Sequence, residues 1–205
     1  MCSSGECTKR ESCVAGRCIV GSATPAIARA ERFSFEAQKR TVSPFRKSRE
    51  GLLELHSSDE LFFAFDLSAL PSRPVVEAYV LVSLPEVDLS SGEGAFAAQP
   101  IVESWSVESA RWKLPHRARS SSALSFLVSP ANQLMRVDVR REIQSAQRDL
   151  GALEGVAIRY TGAARVKVGW DESPSVPWRA PQLEVYIESS MSPQRPTAVG
   201  LTSSW

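Results

Sequence analysis

Cysteine is absent from residue 19 to the end of this 205-residue chain, and histidine occurs only twice, as His56 and His116. The body therefore offers no Cys–His arrangement, and neither an H-E-x-x-H nor a G-x-S-x-G element, on which metal-assisted or nucleophilic hydrolysis commonly rests. Charge of one sign is missing too: 24 Lys and Arg stand against 23 Asp and Glu, a net charge of +1. No global field draws the chain to nucleic acid or to an acidic surface. No apolar run approaches the roughly 20 residues that a membrane-crossing helix needs. Met1 is followed at once by Cys2, without the basic and apolar stretches of a signal peptide, so a mature or trimmed chain is expected.

The cysteines that do occur are crowded at the start: Cys2, Cys7, Cys13 and Cys18 form a C-x4-C-x5-C-x4-C pattern. So short a segment cannot bury enough core to fold unaided, and cysteines ahead of a cysteine-free body read as a small disulfide-stapled knot on an exported protein. Zinc is the rival. Structural zinc sites usually use two close-spaced pairs with His as the common substitute, whereas these spacings are longer and no His lies near. Four paired cysteines leave three connectivities open. A lipidated Cys2 would leave an odd number for pairing, which favours four paired residues just after a processing site. The compartment implied is secreted, periplasmic or outer-surface.

Behind the knot (1–18), a small-residue stretch (19–30) reads as a linker and 31–188 as the globular body. Residues 189–205, rich in Ser and Pro, have the composition of a disordered tail, whose few large apolar residues cannot offset its ordering entropy. Within the body the dominant period is two, the signature of half-buried strands. Leu61, Phe63, Phe65 and Leu67 alternate with Phe62, Ala64 and Asp66; Val76, Ala78, Val80, Val82 and Leu84 alternate with Glu77, Tyr79, Leu81 and Ser83. The pattern returns at Leu124/Phe126/Val128, Val156/Ile158/Tyr160, Val166/Val168/Trp170 and Leu183/Val185/Ile187. These sets predict the interior of a two-sheet antiparallel sandwich, with Arg159, Lys167 and Glu184 turned to water. One segment has helical spacing instead: Val139, Ile143, Ala146 and Leu150, with Asp138 placed to cap and Gly151 to terminate, predict one short helix over 139–150, packed as a structural lid.

Seven landmarks appear in a fixed order: Phe65-Asp66-Leu67-Ser68-Ala69-Leu70-Pro71; Ala78-Tyr79-Val80-Leu81-Val82; Trp105 with Trp112; Val137-Asp138-Val139; Gly155-Val156-Ala157-Ile158; Trp170-Asp171-Glu172; and Pro181-Gln182-Leu183-Glu184-Val185. In this series the chain resembles the DNRLRE, or disaggregatase-related, domains, which are similar to carbohydrate-binding jelly rolls. The resemblance implies a secreted jelly-roll-like β-sandwich that accompanies enzymes or surface proteins and holds polysaccharide. It departs from the pattern at Arg111, which stands where Thr is usual, and at Trp170, which stands where a small serine is usual; the N-terminal strand pair is hard to recognise in 31–50. The knot also resembles the cysteine-rich starts of exported myxobacterial surface proteins and lipoproteins.

Candidate ligand-binding residues follow from the chemistry of sugars, whose apolar C–H faces stack on aromatic rings while their hydroxyls seek polar neighbours. Trp170 and Trp178 bracket a turn that also supplies Asp171 and Glu172. Trp178 sits beside Pro177 in a loop, whereas Trp170 also continues the inward Val166/Val168 series; Trp105 and Trp112 read as core supports, and Asp66 and Asp138 as acceptors of turn and cap hydrogen bonds. Arg117 and Arg119 lie in a basic run with Trp112 and His116, a combination that can grip acidic polysaccharide or lipopolysaccharide with salt-sensitive strength. Glycan hydrolysis would need two facing carboxylates about 5–10 Å apart, a pairing that nothing in the chain singles out. Jelly-roll glycan binders often carry a structural calcium, but no D-x-D-x-D loop speaks for one here, and no cofactor is expected. The expectation is a non-catalytic surface module that binds polysaccharide, with a structural or adhesive subunit that binds other surface proteins as the alternative; nucleic acid is not an expected partner.

Overall fold

The protein was analysed as a computed structural model, which describes residues 11–14, 17–20, 30–115, 125–126, 134–148, 153–171 and 179–189. Near the start, β1 (Glu11–Val14) and β2 (Arg17–Val20) form an antiparallel hairpin whose register sets Cys13 opposite Cys18. Cys2 and Cys7 lie outside the described residues, and with them the stapling expected of the knot.

The body is built around one long strand. β3 (Ala30–Ser43) pairs along its first half with β13 (Gln182–Glu188) and along its second half with β5 (Glu60–Phe65), so it belongs to both halves of one antiparallel sheet. A register shift between Ala37 and Lys39 lies where it passes from one partner to the other, and the extra residue of such a bulge bends the strand. Beyond β13 follow β6 (Val75–Ser83) and β10 (Leu134–Asp138); beyond β5 follow β11 (Gly155–Gly162), β8 (Gly94–Ile101) and β9 (Ser125–Phe126). The outermost β10 comes back into contact with β8 and β9, so the eight-stranded sheet curls into a near-barrel sandwich. A second sheet of three antiparallel strands, in the order β4 (Leu52–Leu55), β12 (Arg165–Gly169), β7 (Glu86–Asp88), packs its apolar face on the same core.

The predicted period explains most of this core. Leu61, Phe63, Ala78, Val80, Val82, Val156, Ile158, Tyr160, Val166, Val168, Leu183, Val185 and Ile187 are all buried together. Several positions depart from it. Val76 was expected inward, but Val75 takes the core place, because the register opposite β13 shifts between Tyr186 and Ile187 and reverses the phase there. Phe62 and Ala64, expected on the outer face, are buried under a second cluster with Ile101, Trp105, Ala110 and Ala157. That cover is supplied by the segment after β8, pinned where the Trp105 indole N–H donates to the Glu154 carbonyl (3.1 Å) and where Ser106 and Ser109 cap each other before the single turn α1 (Ser109–Trp112). Glu184, expected in water, is 7% exposed; it accepts a hydrogen bond from Tyr186 (2.7 Å) and faces Arg32.

The helix forms as α2 (Arg140–Arg148), beginning one residue later than expected, while residues 149 and 150 lie outside the described residues. Asp138 accepts from the Arg140 amide (2.9 Å), while Val139 and Ile143 are fully buried. Gln144 and Gln147 donate to the carbonyls of Val75, Pro71 and Arg73. These bonds hold the helix across one end of β6, as expected of a lid. Asp66 likewise accepts from the Ser68 amide (2.9 Å), and that backbone hydrogen bond holds its carboxyl below the usual carboxylate range.

Candidate functional site

The small β4–β12–β7 sheet divides its side chains by the period of two. Leu53, Leu55, Val166 and Val168 point into the core. On the other face the register sets Lys167 between Glu54 and Glu86, and its ammonium donates to Glu86 (2.8 Å). The hydrogen bond and charge of Glu86 raise the Lys167 pKa above its ordinary value. This polar face forms one wall of a pocket of about 340 Å³.

The other wall is the segment that joins β3 to β4. Arg46 is its first anchor. Its guanidinium spans both oxygens of Asp59 and also donates to the Glu54 carbonyl (3.1 Å). The Asp59 side chain is 3% exposed and accepts further from the His56 amide (2.6 Å), so one buried carboxylate ties the connecting segment to the turn that precedes β5. Ser48 is the second anchor, donating to Asp171. The third is a two-residue hairpin turn: Arg49 and Leu52 exchange backbone bonds of 2.8 and 2.9 Å, with Glu50 and Gly51 both left-handed (φ 53° and 75°). Two adjacent residues with positive φ define the type I′ turn that matches strand twist. The Gly51 carbonyl then accepts from the amides of Trp170 (2.8 Å) and Asp171 (3.2 Å).

Between these anchors the chain alternates. Arg46 and Ser48 are half-buried and held, whereas Lys47 and Arg49 are exposed and make no ion pair among the described residues. The pocket is lined by Arg46, Lys47, Arg49 and Lys167 on the cationic side, by the carboxylates Glu50 and Glu54, and by His56 with Leu52 and Leu53 beneath. Such a lining suits a polar ligand that carries negative charge.

Of the residues singled out from sequence, Trp170 and Asp171 lie together at the end of β12, against this segment. Trp170 is 7% exposed and packs on Phe63 with ring centroids 5.8 Å apart; a stacked sugar needs an open ring face, and this indole spends its faces on the core. Asp171 retains 44% side-chain exposure, but it accepts from Arg40 (2.9 Å) and Ser48 and thereby fastens the pocket wall. Glu172, Trp178, Arg117 and Arg119 lie outside the described residues, so Trp178 and the basic run are placed neither near the pocket nor away from it. Sequence reasoning passed over Arg46, Lys47 and Arg49, although three basic residues in four were legible; what concealed them was a stretch, 31–50, whose strands were hard to recognise.

Among the described residues no group of three His, Cys, Asp or Glu side chains is placed to hold a metal ion, and no helix is long and apolar enough to cross a membrane. No protein-family model matches the chain, and a search of curated proteins finds no match to it.

Proposed function

We propose that this chain is a non-catalytic module of the disaggregatase-related, jelly-roll type that works outside the cytoplasm and holds polysaccharide at a cell surface. The observation that carries the reading is the polar pocket built on the rigid β4–β12–β7 face and walled by a segment with three independent anchors. Binding loops held on a stiff β scaffold lose little conformational entropy when a ligand arrives. The acids beside the pocket that are best fixed, Asp59 and Asp171, are engaged by Arg46, His56, Arg40 and Ser48. Those contacts are structural, which favours holding a ligand over hydrolysing it. Export is supported by the four N-terminal cysteines.

The test is retention of the full chain on a panel of immobilised polysaccharides, with analysis for released sugars. Retention without hydrolysis, weakened by Trp178→Ala or by substitutions in the pocket, is expected. Release of oligosaccharides would replace the binding module by a hydrolase. Retention on surface proteins with no retention on any glycan would replace it by an adhesive subunit.

A further inference from the structure

We propose that the pocket recognises the anionic group of an acidic polysaccharide, a uronate carboxylate or a sulfate ester, with Lys47 and Arg49 as its direct contacts; this rests on the polysaccharide reading above and adds the ligand class and the residues. Lys47 and Arg49 project on the same side of a segment whose intervening Ser48 is tied to Asp171, and both line one cavity with Lys167 and Arg46. The charges of the other two cations are already answered: Arg46 by buried Asp59 and Lys167 by Glu86. Lys47 and Arg49 have no such partner among the described residues, so two like charges are held at one mouth by a preorganised backbone. Their mutual repulsion is relieved when an anion enters. Glu50 at the turn tip and Glu54 on the floor match these two unanswered cations in number, so the pocket suits a single negative charge flanked by hydroxyls that can donate to the carboxylates. Arg49 offers a planar fork that matches the paired oxygens of a carboxylate or sulfate, while Lys47 acts as a point charge.

The experiment is affinity electrophoresis or calorimetry of the full chain against polygalacturonate, dextran sulfate and neutral dextran, at two salt concentrations. Lys47→Ala/Arg49→Ala is compared with Lys47→Arg/Arg49→Lys and with Arg148→Ala/Arg159→Ala, which removes the same charge from exposed positions elsewhere. The result expected is retention by polygalacturonate or dextran sulfate, the stronger of the two naming the group. Retention should weaken as salt rises and fall about tenfold for each pocket cation removed, the factor typical of a hydrogen bond to a charged group. The conservative exchange should keep most of the affinity, and the distant control all of it. If an acidic glycan binds but the pocket and distant variants weaken it equally, or if only dextran binds, the pocket assignment is overturned while the polysaccharide reading stands. If no glycan of any class is retained, both fall.

Discussion

Replacing Arg46 by Ala would leave the Asp59 carboxylate, with only 3% of its side chain exposed, without the guanidinium that now spans both its oxygens. The His56 amide (2.6 Å) would remain, with the His56 ring Nδ1 3.7 Å away. Removing one partner of a fully buried ion pair costs about 3–5 kcal/mol, because the survivor keeps its desolvation penalty. Arg46 retains 27% side-chain exposure, so water already screens part of the attraction and the expected loss is about 2–3 kcal/mol. In a protein of this size that lowers the thermal midpoint by about 5–10 °C. Guanidinium denaturation followed by tryptophan fluorescence should show a lower midpoint with the slope unchanged. Asp59→Asn and the double variant complete the cycle, and a coupling of about 1–2 kcal/mol between the two sites is expected. An Arg46→Ala protein within about 0.5 kcal/mol of the parent, or additive effects in the cycle, would refute the argument that this buried charge depends on Arg46.

At Gly162, φ is 125° and an added Cβ would lie 2.2 Å from the Glu93 carbonyl oxygen and 2.6 Å from Gly94 Cα; Gly162→Ala should therefore cost more than about 2 kcal/mol in urea unfolding, and a neutral result would show that the paired ends of β8 and β11 can relax. Burial and the neighbouring Glu77 push the Tyr79 pKa up to about 12, so the fold favours the neutral phenol. That contribution is complete below the ordinary value near 10 and is lost as pH climbs from there toward the folded value, so the parent should lose stability over this interval and Tyr79→Phe should lose less. Equal alkaline losses in the two proteins would rule Tyr79 out as the cause. Mass spectrometry after alkylation without reductant should find Cys2, Cys7, Cys13 and Cys18 blocked in pairs; four free thiols, or zinc in stoichiometric amount, would remove the basis for export.

What could be seen in the sequence was whatever repeats within a single strand. The runs at 61–67, 76–84, 156–160, 166–170 and 183–187 announced antiparallel β structure with one apolar face, and the structure buries most of the residues they nominated. The errors came where another part of the chain intervened. Phe62 and Ala64 look outward by local alternation, yet the segment around Trp105 covers them. Val75 displaces Val76 because of a register shift set by β13. Glu184 is removed from water by Tyr186 on its own strand and Arg32 across the sheet. The chemistry of sugar stacking pointed to Trp170 and Asp171; the pocket that lies against them came from a stretch where no strand pattern was evident.

By itself, then, the order of residues determined the class of secondary structure, the identity of most core side chains and the helix that Asp138 caps, since alternation and capping depend on neighbours a few bonds apart. Only the tertiary structure decided that Arg46 would meet Asp59, that Arg40 and Ser48 would both grip Asp171 from more than 120 residues away, and that Lys47, Arg49 and Lys167 would share one cavity. Those meetings depend on strand order and on the register between strands, which are fixed when distant segments bury their apolar faces together, so no local period carries them.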